Sequence, residues 1–346
     1  MTYKLALIGC GTVGQGLLEI LADKGESMKE AYGFEVKVVA IADKHKGTIM
    51  SRSGLNIRKV LTVLAAGKPL SAYDPGKKPL SLDALEVIAA CGADMMAELT
   101  YTNIKTGEPA TSYIKKALSL GIHVATSNKG PAALHYHELQ ALAEKHKVFF
   151  RIEGTVMSGT PVFTLAENGF VGNEAKEIKG ILNGTTNFIL SKMEMDGMDY
   201  PEALALAQKL GYAEADPTAD VEGFDALAKL VILSNVILGG RVKTSQVKRE
   251  GITGITKAMV DEAKQAGFRY KLIAETKRVG SKVTAAVGPQ KLPLSDPLAG
   301  VMGAQNALTF DLDLLGKVTI QGPGAGKLQT GAAILQDLLA IHRDLR

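Results

Sequence analysis

The sequence predicts an α/β domain built on a parallel sheet, followed by a second, α+β domain, and three observations carry that prediction. Over residues 1–153, short β-branched runs alternate with helical patterns, the order that lays a parallel sheet between two layers of helices. A Gly9-Cys10-Gly11-Thr12-Val13-Gly14 turn follows the first such run and opens a helix, which narrows the class to a Rossmann-type domain. After Pro161 the texture changes to a run of helices and then to strand-like segments.

Taken in order, the first domain (1–153) offers strands at Tyr3–Gly9, Val36–Asp43, Asp94–Leu99, Ile122–Thr126 and Val148–Glu153, each ending where a loop can carry chemistry. The helix after the first strand buries Leu17, Leu18 and Leu21. Between the second and third strands a polar insertion, Lys44–Ser81, holds one helical stretch near Arg58–Ala66 and reads as a lid or a surface excursion. The second domain (154–318) has helices across Gly184–Gly239, then antiparallel strands at Phe268–Lys277 and Lys282–Val287, and is expected to bind substrate and to dimerise. A last segment (319–346) reads as a Gly-rich loop and a helix from Gln329, with Ile334, Leu335, Leu338 and Ile341 at helical spacing, returning to the nucleotide domain.

Composition removes several classes of function. Forty Lys+Arg against 36 Asp+Glu, spread along the chain, with 5% aromatics and no Trp, give no basic stripe with stacking rings, so nucleic-acid binding is not expected. Cys10 and Cys91 cannot build a disulfide framework or a zinc spacing, which favours a reducing, cytoplasmic setting. The apolar runs Leu5–Ile8 and Leu230–Leu238 are too short or too interrupted for a signal core or a membrane span. His135 and His137, two apart on a helix, face different ways and make a poor zinc pair. Gly326-Lys327 lacks the flanking residues of a P-loop.

The Gly9 loop has the context of a dinucleotide site: Gly9 for the tight turn, Gly11 for close approach of a pyrophosphate, Gly14 for helix–strand packing, with Thr12 and Val13 opening the helix. Asp43 ends the second strand, later than the ~20 residues the fingerprint leads one to expect, because Lys24–Phe34 lengthens the connection. An acid there accepts ribose hydroxyls, whereas Lys44, Lys46 and Arg52 can attract a 2′-phosphate. Preference between NAD and NADP is open, tilting toward NADP(H) on those three basic residues.

Lys129, after the fourth strand in Ser127-Asn128-Lys129-Gly130, sits where α/β sheets bind ligands and can donate a proton. In Gly211–Lys229, Asp220 reads as the N-cap of a helix running to Leu238, on which Asp225 and Lys229 share a face. That helix is apolar all round, so its charged pair must pay a desolvation cost, which favours a cleft over surface decoration. Asn183-Gly184-Thr185 forms a polar elbow from strand to helix, suited to a carboxylate or equally to an Asn-Gly turn with a Thr cap.

These residues together resemble the homoserine dehydrogenase family over nearly the whole chain. The signature is Gly180-Ile-Leu-Asn-Gly-Thr-Thr-Asn-Phe-Ile-Leu, Ala207-Gln208, Gly211-Tyr-Ala-Glu-Ala-Asp-Pro-Thr-Ala-Asp, Gly223-x-Asp225 and Ala228-Lys229, joined by the Gly9 loop, Asn128-Lys129, and Gly322-Pro-Gly-Ala-Gly326 with Thr330. The resemblance implies reversible NADH- or NADPH-dependent reduction of L-aspartate 4-semialdehyde to L-homoserine, toward threonine and methionine. It further implies Lys129 and Lys229 as active-site lysines, with Lys129 the proton donor and Lys229 a substrate-orienting or relay cation. Glu214, Asp220 and Asp225 would hold the substrate ammonium and the lysine, and Gly326 would join the cofactor site. Glu153, Val156, Ser158 and Thr160 match a segment that holds a monovalent cation, Na+ or K+, in several members, with a structural hinge as the alternative. Ser127 and Gly130-Pro131 are departures from the common pattern. A homo-oligomer, dimer or tetramer, is the family expectation, and no appended regulatory domain is expected after Gly326. Two other readings compete: a dehydrogenase of a related amino or oxo acid, and a catalytically silent NAD(P) sensor.

Overall fold

The computed structural model describes residues 2–76 and 80–346. Residues 77–79, inside the Lys44–Ser81 segment, lie outside the described residues. The chain divides into two compact units, Met1–Gly159 with Gly326–Arg346, and Thr160–Ala325.

In the first unit, β1 (Thr2–Ile8), α1 (Thr12–Tyr32), β2 (Glu35–Asp43), β3 (Gly47–Met50), α2 (Ile57–Ala65), α3 (Ala84–Ala90), β4 (Met95–Glu98), α4 (Ala110–Ser119), β5 (His123–Thr126), α5 (Lys129–His146) and β6 (Phe150–Arg151) follow one another. They build one sheet in the order β3-β2-β1-β4-β5-β6. All pairings are parallel except the β2–β3 hairpin. The run Leu5–Ile8 is buried on both faces, as a strand covered by helices on two sides must be.

Two expectations need correction here. The Lys44–Ser81 insertion is neither lid nor excursion: β3 extends the sheet, and Ile49, Leu55, Val60 and Leu70 enter the main core. Its polar composition hid that four-residue strand. The fifth strand is shorter than Val148–Glu153, because a 3-10 turn takes over at Glu153–Thr155.

The C-terminal helix, Lys327–Asp344, packs on α1 within the same unit. Glycines at the crossing allow this close approach: a Cβ on Gly16 would collide with the Lys327 carbonyl, and one on Gly331 would stand 2.7 Å from the Leu17 nitrogen. Ile334, Leu335, Leu338 and Ile341 join the β1 and α1 core, and Lys327 pairs with Glu19 at 2.5 Å.

The second unit contains α6 (Phe163–Gly169), β7 (Ala175–Ile181), α7 (Gly184–Met195), α8 (Tyr200–Lys209), α9 (Thr218–Val221), α10 (Phe224–Val236), β8 (Lys248–Arg249), α11 (Lys257–Gln265), β9 (Phe268–Val279), β10 (Lys282–Pro293), β11 (Gln305–Leu312) and β12 (Gly316–Pro323). Its sheet runs β12-β11-β7-β9-β10-β8, antiparallel except where β8 meets β10. The boundary expected at residue 319 therefore moves to Gly326: Val318 and Ile320 alternate with polar neighbours, and Gly316–Pro323 is a strand paired with β11 rather than a loop.

Candidate functional site

Each unit presents its own set of candidate residues. In the first, the turn between β1 and α1 shows why glycine is needed. Gly9 has φ 96°, and a Cβ there would collide with the Leu99 carbonyl at the end of β4. A Cβ on Gly14 would come 2.8 Å from the Gly9 carbonyl oxygen, so the helix can pack onto the turn only without a side chain. At Gly11, by contrast, a Cβ would meet nothing within 4 Å, and no side chain caps α1 there. The 21-residue helix thus begins at a bare backbone with open space before it, which fits the phosphates of a dinucleotide.

Asp43, at the carboxyl end of β2, braces that turn. Its Oδ2 accepts the Cys10 N–H at 2.8 Å, and its Oδ1 accepts those of His45 and Lys46 at 2.9 Å each. Burial pulls its carboxyl upward, but the three backbone bonds and the Lys46 charge outweigh it and hold the group below the ordinary aspartate value. Lys44 and Arg52 are exposed. Cys10 is buried, and burial followed by the Asp43 charge pushes its thiol up to about 12, which removes it as a thiolate nucleophile.

Lys129 is the first residue of α5, whose N-cap is Asn128: the Asn128 Oδ1 accepts the Gly130 N–H at 3.1 Å. Beneath this loop lies a group that sequence reading missed, Glu98. It is completely buried at the end of β4 and accepts from the Thr100 N–H (2.9 Å), the Thr100 hydroxyl and the Thr126 hydroxyl (2.9 Å). Asn128 Nδ2 reaches the Thr100 and Tyr101 carbonyls, and its N–H donates to Thr126 Oγ1 at 3.0 Å. Burial pushes the Glu98 carboxyl upward against those bonds. The available signal was an acid closing an otherwise apolar strand, Met95-Met96-Ala97-Glu98.

Glu153 is 1% exposed, and its N–H donates to Asp337 at 3.0 Å. Val156 is buried, Met157 and Ser158 hold left-handed backbone at φ 57° and 54°, and Ser158 Oγ pairs with Thr330 Oγ1 at 2.7 Å. Thr160 opens the second unit, whereas Gly326 opens the C-terminal helix with φ 149°.

In the second unit four residues meet around the start of α7 and α10. Lys229 Nζ donates to Asp225 Oδ2 and to the Leu182 carbonyl, both at 2.7 Å. Asn183 Nδ2 donates to Asp220 Oδ1 at 2.6 Å and to Asp225 Oδ2 at 3.1 Å, while its Oδ1 caps α7 by accepting the Thr186 N–H. The Lys229 and Asp225 side chains are only 8% and 16% exposed, so the pair is not surface decoration. Burial, then repulsion from Asp225, pushes the Asp220 carboxyl up. Two carboxylates thus meet at one Asn183 amide, beside the lysine that pairs with Asp225.

The expected helix start is corrected. Asp220 does not cap α10 but lies within α9, because Gly223, at φ 78°, breaks the chain and α10 begins at Phe224. The elbow is also less open than expected: Asn183, Thr185 and Thr186 are buried, and Thr185 Oγ1 donates to the Tyr212 carbonyl at 2.6 Å. Glu214 stands exposed on the loop before α9, its main-chain carbonyl accepting from Gln208 Nε2.

A bare glycine turn at the head of α1, braced by an acid at the end of β2, together with a buried lysine–carboxylate cluster, defines an NAD(P)-dependent oxidoreductase. The family profile described as Homoserine dehydrogenase, NAD binding domain, matches residues 9–153, and that described as Homoserine dehydrogenase matches residues 161–339. The chain belongs to the homoserine dehydrogenase family. It is 45% identical to the NAD(+)-dependent homoserine dehydrogenase of Pseudomonas canavaninivorans, over 99% of this chain and 96% of that one. It is 40% identical to the homoserine dehydrogenase of Methanocaldococcus jannaschii, over 99% of each. Among solved structures, a hyperthermophilic archaeal homoserine dehydrogenase in complex with NADPH superposes with a TM-score of 0.84 at 30% identity, covering 99% of this chain and 98% of that one. The homoserine dehydrogenase of Thiobacillus denitrificans gives 0.85 at 33% identity, covering 99% of this chain and 74% of that one. Among the described residues no helix is long and apolar enough to cross a membrane.

Proposed function

We propose that this chain interconverts L-aspartate 4-semialdehyde and L-homoserine through the residues described above, and that the Asn183–Asp220–Asp225–Lys229 cluster is the observation that carries the reading. When bound, the nicotinamide supplies or accepts the hydride at the substrate's C4. Lys129, at the head of α5, gives a proton to the alkoxide oxygen as the aldehyde is reduced and takes it back in oxidation. Lys229 spends two of its three N–H bonds on Asp225 and Leu182, which fixes its Nζ and leaves one donor to orient the substrate or relay its proton. Asp220 and Asp225 hold the substrate ammonium, which supplies the counter-charge that Lys229 alone does not, and Glu214 adds a third carboxylate from its loop. The first-turn N–H groups of Gly184 and Thr185 have no intrahelical acceptor and receive the α-carboxylate.

For the cofactor, Asp43 supports NAD(H), against the tilt toward NADP(H) that the basic residues of this segment supply. Three backbone bonds and the Lys46 charge hold its carboxylate below the ordinary aspartate value, so it would accept ribose hydroxyls and repel a 2′-phosphate, while Lys44 and Arg52 are exposed side chains. Within the first unit, the buried Glu153 carboxylate and the oxygen donors of the buried Val156 and Ser158 have the donor chemistry of a hard monovalent cation. The family setting and two free, buried cysteines support a cytoplasmic homo-oligomer.

The test is Lys129→Ala, with turnover measured in both directions beside NADH binding followed by fluorescence. The expected result is loss of turnover by at least about a hundredfold with cofactor affinity unchanged. Near-normal turnover would remove Lys129 from the mechanism.

A further inference from the structure

On β11 the side chains of residues 306, 308, 310 and 312 share one face. Leu308, Phe310 and Leu312 are buried and apolar, but the row begins with Asn306, which is 0% exposed. Neither its Nδ2 nor its Oδ1 finds a hydrogen-bond partner among the described residues. Buried carboxamides are almost always paired, and Leu would fill the same volume without the desolvation cost, so packing does not explain an asparagine here.

Its surroundings point to a ligand. An atom at the Cβ position of Gly324 would collide with the Asn306 carboxamide, so the Gly324 main chain packs directly against the amide, yet the amide finds no hydrogen-bond partner among the described residues. At the Cβ position of Gly184, the first residue of the 12-residue α7, an atom would lie 3.6 Å from Asn306 Oδ1. The unpartnered amide therefore borders the helix N-terminus whose first-turn N–H groups lack intrahelical acceptors.

We propose that Asn306 is a substrate-contacting, specificity-determining residue whose amide N–H donates to the α-carboxylate of the amino-acid substrate at the head of α7. This rests on the elbow reading above and adds to it a donor from a different element. It also gives the buried amide the hydrogen-bond partner that it lacks among the described residues.

The test uses Asn306→Leu in the intact protein, with L-homoserine and with 3-aminopropan-1-ol, which lacks the carboxylate. KM for homoserine should rise by about tenfold or more, the loss of one hydrogen bond to a charged group. The kcat and NADH affinity should hold, and the thermal midpoint should stay level or rise, because an unpaired amide has been removed. Native preference for homoserine over 3-aminopropan-1-ol should shrink by the same factor. An unchanged KM, or a lowered midpoint with NADH affinity falling as KM rises, would overturn the assignment and make Asn306 structural. If the native protein shows no preference against 3-aminopropan-1-ol, the elbow reading itself fails. If it shows one that Asn306→Leu fully retains, only the Asn306 inference fails.

Discussion

Lys129 and Lys229 have the same side chain in opposite settings. Lys129 opens a helix on a capped loop above the buried Glu98, whereas Lys229 lies inside an apolar helix and is fixed by Asp225 and a carbonyl. Both were visible in the sequence, one by its place after a strand and one by a desolvation argument. What the sequence could not show was the tertiary bracing: the Leu182 carbonyl on Lys229, Asn183 on the two carboxylates, and Glu98 on Thr100 and Thr126. Asp43 is the residue at which cofactor choice can be read. Asp43→Asn removes a charge and keeps the shape, so the NADPH-to-NADH ratio of kcat/KM should rise by about tenfold, ~1.4 kcal/mol. An unchanged ratio would mean that the specificity lies elsewhere.

At the scale of elements, the Rossmann strands were legible because each is an apolar run ended by a turn, and α1 because its apolar residues recur at helical spacing. The misreadings share a cause. A strand of four residues in a polar insertion, a β12 in which only Val318 and Ile320 are apolar, and a helix broken by one glycine are all settled by partners distant in sequence. Gly223 shows what the break does, for it turns Asp220 and Asp225 from successive turns of one helix into neighbours across a junction, both within reach of Asn183. Gly223→Ala must hold φ 78° with a side chain and bring a Cβ to 3.3 Å from Val287. The expected cost is about 1–2 kcal/mol, read as a lower thermal midpoint together with a raised KM for homoserine. A lowered midpoint with an unchanged KM would separate the junction from substrate binding.

Across the whole molecule, stability should depend on pH through Lys271, a fully buried lysine in β9. Its Nζ donates to Asn187 Oδ1 at 2.9 Å and to the Val301 carbonyl at 2.5 Å. Burial lowers it to about 8, with Glu194 raising it and Arg269 lowering it. The unfolded chain then binds the proton more tightly than the native one, so this lysine's contribution to stability increases as pH rises from about 8 to about 10.5. Lys271→Met should flatten that part of the stability–pH profile. An identical slope in the variant would show that another group is responsible.

The proposed activity rests on a cluster of carboxylates that reads an ammonium group. Its most direct test is the kcat/KM of the native protein for L-homoserine against 4-hydroxybutyrate, which differs by lacking the amine. Leaving Asp220 and Asp225 short of a cation should cost several kcal/mol, so homoserine should be preferred by about a hundredfold or more. Equal efficiency with the two substrates would contradict the account and leave the buried lysine–carboxylate cluster without the role given to it.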